Sequence, residues 1–382
     1  AGGGAAGSRG GAGGSGRGGG AGNAASGGGP GGGAGGLGGA GRCQAVRLGP
    51  MRSTNNAIIA DVDGDDRPDV VTAEVNGQTA VFRQVAPRAF ADPDVYVMGT
   101  LYEKAIVATD LNEDGSVDFA ASDQYGSVGL LLSNTAGART FSMVNGSVQA
   151  GLDDIVTADF DGDGHLDIAI PPYDRGTLAM LWSTGPGTFL PWTEQAICRE
   201  PTSLAVLDAN EDGRPDLLVG CYDGPAQLLL GTNERKFTST PGFFNILSTE
   251  AVAAADVNGD GHADLVIPDH TRKQLAIMLG DGTGQFSEPT GLIASTQTGP
   301  VSVAVADFDA DGHPDVMVGR VDDPHMFFYQ GNGDGHFQAA RSLPIDWTAI
   351  NLAAGDIDGD GVADLLVTNW ARGATIYFGP CP

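Results

Sequence analysis

The chain has 382 residues, a formal net charge of -28 and only four Cys. That length allows one large domain or two ordinary ones, and the charge disfavours nucleic acid and anionic membranes while suiting cations. No run of 18 apolar residues occurs, so no membrane-spanning helix is expected, and the absence of a close Cys-x-x-Cys pair excludes a zinc or redox motif.

Residues 1–42 hold 24 Gly, with Leu37 as the one large apolar side chain. Such a segment cannot bury enough surface to offset its ordering entropy, which predicts a disordered linker. The chain starts with Ala, which fits a leader that was removed or left out. From Cys43 the composition changes to Val, Ile, Leu, Phe and Asp. The fragment CQAVRLG (43–49) has strand character and no partner nearby in sequence.

A motif Asp-x-Asp/Asn-x-Asp, with a further Asp four residues on, then recurs seven times. It starts at Asp61, Asp110, Asp159, Asp208, Asp256, Asp307 and Asp356, at intervals of 49, 49, 49, 48, 51 and 49. Each copy follows a short apolar run such as SVAVAD (302–307) and precedes another such as PDLLVG (215–220). A third run follows a polar turn, as in QLAIML (274–279) and ATIYF (374–378). In six copies a turn then leads to Phe90, Phe141, Phe189, Phe237, Phe286 or Phe337. Runs of this length, β-branched and broken by Gly, Pro, Asn and Asp, read as strands, and each unit has room for four. This is the composition of a propeller blade, so the fold expected over 43–382 is an all-β, seven-bladed β-propeller of four-stranded blades. The seventh copy stops at GPCP without a fourth strand. The fragment 43–49 is therefore expected to close the ring as the outer strand of blade seven, antiparallel to 374–379. That register sets Cys43 beside Cys381 and predicts a disulfide there, in an oxidising compartment.

The fifth copy, DVNGDGHAD, shows the chemistry. Asp256, Asn258 and Asp260 alternate, so a tight turn can aim three oxygens inward. Gly261 supplies a positive φ, the next residue offers a carbonyl, and Asp264 closes the cage. Hard oxygens at this spacing suit calcium better than magnesium, which demands stricter octahedral geometry. An EF-hand is excluded. Its twelfth position requires Glu, and here that position is Thr72, Ala121, Ile170, Val219, Ile267, Val318 and Val367, between strands.

Residues 43–382 resemble FG-GAP or VCBS repeats, found in the integrin α-subunit propeller, in calcium-binding fungal propeller lectins and in secreted bacterial proteins. The resemblance implies that each loop joins the first two strands of its blade on one face, and that ligands bind the opposite face or clefts between blades. It implies calcium ligands from Asp61, Asp63, Asp65 and Asp69 in copy one, and Asp110, Asn112, Asp114 and Asp118 in copy two. Copy three supplies Asp159, Asp161, Asp163 and Asp167; copy four supplies Asp208, Asn210, Asp212 and Asp216. Copy five uses the four residues already named. Copy six supplies Asp307, Asp309, Asp311 and Asp315, and copy seven Asp356, Asp358, Asp360 and Asp364. The loops hold 28 of the 48 acidic residues, so seven ions would bring the net charge from -28 to -14, and a structural role is expected for them. Copy one departs from the pattern, with Asp66 where the others have Gly. A non-Gly residue in a left-handed conformation costs roughly 1 kcal/mol, which predicts weaker binding in that loop.

The turns between second and third strands carry Tyr125, Tyr173, Asp174, Arg175, Tyr222, Asp223, His270, Arg272, Asp323, His325, Trp370 and Arg372, with Trp347 in a connection on the same face. An aromatic ring beside polar groups suits a sugar; ordinary solvated turns are the alternative. His165, His262 and His313 follow the loop Gly and are read as exposed side chains whose backbone carbonyl serves the ion. Cys198 and Cys221 flank blade four, and a second disulfide between them stays open. No G-x-S-x-G, H-E-x-x-H or Walker sequence occurs. The expectation is a monomeric, extracellular or cell-surface, non-catalytic module that binds a glycan or protein ligand. A polysaccharide-cleaving enzyme on a calcium propeller is the alternative.

Overall fold

Both faces of the inner strands are apolar in runs such as Leu217-Leu218-Val219, so each sheet must be covered on both sides there, while outer strands such as Thr193–Ala196 are largely exposed. A computed structural model shows how. It describes residues 43–49, 53–98, 102–133, 140–143, 151–240, 246, 248–293, 299–321, 323–345, 347–370 and 372–380. The segment 1–42, expected as linker, and Cys381 lie outside them.

The described residues form seven four-stranded antiparallel sheets. Blade five is representative, with strands Ala253–Ala255, Asp264–Asp269, Gln274–Met278 and Thr290–Ile293 in that spatial order. In blade seven the first three strands are Asn351–Gly355, Asp364–Asn369 and Gly373–Phe378, and the fourth is Gln44–Leu48. Its antiparallel register runs from Gln44 opposite Phe378 to Leu48 opposite Ala374, as the orphan fragment predicted. The first strand of blade one contacts those of blades two and seven, so the ring is closed.

Seven apolar clusters hold the ring together, each between two neighbouring blades. Strand alternation makes this possible. Leu217 and Val219 pack toward blade three, while Leu218 packs toward blade five. At the junction of blades seven and one, Leu48 packs with Ile376, Phe378, Ala57 and Val70.

Two features refine the sequence reading. The Phe does not always open the fourth strand. Phe90 and Phe189 sit in short hairpins, and Phe286 and Phe337 make single bridges to Gly280 and Gly331, all before the fourth strand. Cys198 and Cys221, left open by sequence, are disulfide-bonded with Cα atoms 6.2 Å apart. Cys43 is disulfide-bonded as well.

Aspartate loops and the opposite face

In all seven copies the second strand begins on the ninth loop residue: Asp69, Asp118, Asp167, Asp216, Asp264, Asp315 and Asp364. Each is at most 1% exposed. One carboxylate oxygen accepts the N–H of the second loop residue, for example Val257 at 2.9 Å. The other accepts an N–H from the end of the third strand or just past it, such as Gly280 at 2.8 Å. The ninth Asp thus ties the loop to the sheet; Asp264 takes one backbone donor on each oxygen and keeps lone pairs, whereas Asp118 accepts from Leu111, Asn112 and Ser133 on both oxygens.

The remaining acids use the same division. The first Asp accepts the N–H of the fifth or fourth residue on one oxygen and that of the sixth on the other, as Asp356 does from Asp360, Gly359 and Gly361. Asp358 and Asp360 each take one backbone N–H, from Asp360 and Val362, and turn the other oxygen away from the backbone. Candidate ligand oxygens lie within 4.8 Å of one another in Asp61/Asp63/Asp69, Asp159/Asp161/Asp167, Asp307/Asp309/Asp311 and Asp356/Asp358/Asp360. Oxygens at that spacing can share an ion whose bonds are about 2.4 Å long, and the all-oxygen donor set fits calcium. Copies two, four and five place Asn112, Asn210 and Asn258 in the third position, and form no such acidic triple among the described residues.

Burial sets the acidity here. It pushes the ninth Asp above the usual carboxylate range in Asp69, Asp118, Asp216 and Asp264, and up to about 6 in Asp167, Asp315 and Asp364. Backbone N–H donors oppose the shift, while neighbouring loop carboxylates add to it in most copies, for example Asp161 and Asp163 beside Asp167.

Each loop contains two left-handed residues, where sequence marked one. The sixth residue has φ between +63° and +93°, with Asp66 at +63° as its substitution for Gly implied. The fourth has φ between +53° and +78°, and there Glu113, Glu211 and Ala310 replace Gly. Strain is therefore not confined to copy one. Glu113 and Glu211 meet His165 and His262 of the next loop, and those acids raise the histidines' pKa values. The side chains of His165 and His262 thus have partners that sequence did not assign.

Two arginines also went unrecognised. Arg88 reaches Asp358 and Asp360 of loop seven, and Arg235 reaches Asp161 at 2.5 Å and Asp163 at 3.3 Å of loop three. Both sit two residues before the Phe, at φ +61° and +51°, where other blades have Gly187, Gly284 and Gly335. A basic residue in place of that Gly was the available signal. Each guanidinium lands on carboxylate oxygens that the backbone leaves free.

The turns between second and third strands leave from the other end of the second strand, so they form the opposite face. There the exposed aromatics are Tyr102, Tyr125, Tyr222, Trp347 and Trp370. Tyr173, Tyr222 and His270 stand in line across blades three to five, with ring centroids 6.4 and 6.5 Å apart. Glu200 accepts the Tyr173 hydroxyl at 3.0 Å and Glu250 pairs with His270 at 2.8 Å. Burial raises the Tyr173 pKa, and Glu200 adds to it. Sequence missed these two acids because Glu200 sits in the first strand of blade four and Glu250 in the connection before blade five, outside the turns that carry the aromatic residues.

Several predicted ligand residues are engaged within the fold. Arg175 pairs with Glu194, Asp223 with Arg199, Arg272 with Asp269, and Asp323 with both Arg320 and His325. Asp174 is exposed. Arg372 stacks on Trp347, 5.2 Å from the ring centroid.

Fold and loops together define a seven-bladed propeller with an aspartate-rich loop in every blade. The profile described as FG-GAP-like repeat matches residues 110–170, 159–219, 208–267, 256–318 and 311–367, and the chain belongs to that family. It is similar to integrin alpha pat-2 of Caenorhabditis elegans, 24% identical over 250 residues, covering 57% of this chain and 18% of that relative. Integrin alpha-PS2 of Drosophila melanogaster is 26% identical over 242 residues, covering 52% and 17%. Human phosphatidylinositol-glycan-specific phospholipase D is 30% identical over 152 residues, covering 30% and 18%. The chain thus spans less than a fifth of these relatives' length. Among solved structures, BBS1N in complex with ARL6DN aligns with a TM-score of 0.60 at 11% identity, over 88% of this chain and 94% of that one. The WD40 β-propeller domain of Doa1 aligns at 0.56 and 11%, over 88% and 95%. These last two show the fold alone.

Proposed function

We propose that this chain is a non-catalytic adhesion or recognition module that works outside the cell or on its surface. Its loops hold calcium in a structural role, and the opposite face binds a glycan or protein ligand. The observation that carries this is the division of the molecule into two ends. The aspartate loop of every blade lies at one end, and the exposed aromatic residues stand at the other. Similarity to integrin alpha chains supports an adhesive role. The Cys198–Cys221 disulfide supports an oxidising compartment, and no helix among the described residues is long and apolar enough to cross a membrane.

When bound, calcium supplies charge neutralisation. The chain's own residues do the rest: the ninth Asp fixes the loop to the sheet, and the first, third and fifth residues present oxygens. The test is a glycan array and a cell-surface binding screen with calcium-loaded protein, repeated with Tyr125→Ala and Trp370→Ala. Binding that these substitutions weaken is expected. Binding that only loop substitutions weaken, at unchanged melting temperature, would place recognition on the wrong face.

A further inference from the structure

We propose that blade seven carries a subsite for the acid group of an acidic polysaccharide, a uronate carboxylate or a sulfate, built from Arg47 and Arg372 beside Trp347. It rests on the recognition reading above and narrows its ligand class.

A cleft at blade seven is lined by Arg47, Trp347, Thr348, Asn369, Arg372 and Thr375, among others, and none of the described residues that line it is acidic. That is unusual in a chain with 48 acidic and 20 basic residues. Nine described arginines form ion pairs with Asp or Glu. Neither Arg47 nor Arg372 does so among the described residues. Arg341 also lacks one, and its guanidinium is taken up by Gln330 and the Phe328 ring.

Among the described residues the two guanidinium groups are positioned without a counterion. Arg47 donates from Nε and Nη2 to the backbone carbonyl of Arg372, at 3.1 and 2.9 Å, which leaves Nη1 without a partner among the described residues. The Arg372 guanidinium is oriented by stacking on the Trp347 ring, while the backbone N–H of Arg372 donates to Asn369 Oδ1, and its side-chain N–H groups have no partner among the described residues. A fork held in this way matches a carboxylate or sulfate in two-point geometry. Two like charges held side by side repel, and an anion between them relieves that repulsion.

A polysaccharide fits better than an acidic peptide because of the surroundings. Trp347 and Trp370 are 44% and 40% exposed, and Trp370 is held by its indole N–H to Asn55 at 3.1 Å. Such rings offer apolar faces to a pyranose, while the Thr348 hydroxyl can take one of its hydroxyls. The subsite also depends on ring closure. Arg47 comes from the closing strand and Arg372 from the turn that follows the second strand of the same blade.

The experiment measures binding of the calcium-loaded full chain to hyaluronan oligosaccharide (carboxylate only), dextran sulfate (sulfate only), neutral dextran and oligoglutamate. Wild type is compared with Arg47→Ala, Arg372→Gln and the control Arg341→Ala, with melting temperatures in parallel. Binding to hyaluronan or dextran sulfate but not to dextran is expected, weakened roughly tenfold or more by Arg47→Ala or Arg372→Gln and unchanged in the control. Which of the two polymers binds identifies the acid. Binding to oligoglutamate alone would overturn the proposal in favour of an acidic peptide. Acidic-polymer binding indifferent to both substitutions would overturn the site. Absence of acidic-polymer binding would also overturn it, while a neutral glycan or protein ligand found in the wider screen would leave the recognition reading standing.

Discussion

Deleting the closing strand should cost this propeller most of its stability. Leu48 is 2% exposed and packs between blades seven and one, with Val46 half-buried beside it. Burying Leu48 is worth about 2 kcal/mol and Val46 about 1 kcal/mol. The five register pairs with Gly373–Phe378 add backbone hydrogen bonds worth about 1 kcal/mol each. The total is on the order of 7 kcal/mol, comparable to the whole stability of a typical domain. The cross-link carried by Cys43 is lost as well. Deletion also leaves the backbone of Gly373–Phe378 as an unpaired edge beside buried Ile376 and Phe378, which invites edge-to-edge association. Two truncations separate the closing strand from the segment before it: a chain beginning at residue 43 and one beginning at residue 50. Calorimetry and light scattering should show the first melting like the full chain, and the second melting far lower with aggregation. Melting temperatures within about 2 °C of each other would refute the closure argument, because a shift that small corresponds to only about 1 kcal/mol.

Chelation should lower the melting temperature sharply. At about 1 mM calcium and a dissociation constant of roughly 0.1 mM, one site contributes about 1.4 kcal/mol, and seven would approach 10 kcal/mol; an unchanged melt in excess chelator would end the structural role. Asp66→Gly should relieve the left-handed residue at φ +63° and raise stability by up to about 1 kcal/mol, offset in part by the entropy Gly adds to the unfolded chain. A per-loop calcium titration should show loops three, five and seven, which have Gly at both left-handed positions, filling before loop one; if loop one fills first, backbone strain does not set affinity. In chelator, pH should act opposite to ordinary acid denaturation between 7 and 5. Burial raises Asp167, Asp315 and Asp364 to about 6 in the fold, above the value of about 3.9 for an unfolded Asp, so their stabilisation is complete below the lower value and lost as pH rises through the higher. Melting temperature should rise as pH falls from 7 to 5 without calcium, and a fall would refute it.

The repeat made the architecture readable without coordinates. A period near 49 residues, strands apolar on both faces and an incomplete last copy lead to seven blades and to closure by the fragment before the first. These are local and periodic properties, and each copy repeats the evidence. The loop pattern is equally local, because its ligand oxygens lie within nine residues and the turn that gathers them depends on Asp and Gly in that short stretch. Tertiary structure decided what lies between blades. The reach of Arg235 to loop three spans more than seventy residues, Glu113 meets His165 across two loops, and the Tyr173–Tyr222–His270 line draws on three blades. Structure also separated the predicted ligand arginines, pairing Arg175 and Arg272 with acids while leaving Arg372 stacked on Trp347. No period in the sequence encodes such pairings. They arise where neighbouring blades are brought together by burial of their shared apolar faces, and the side chains at the two ends of the disc take whatever partners that packing supplies.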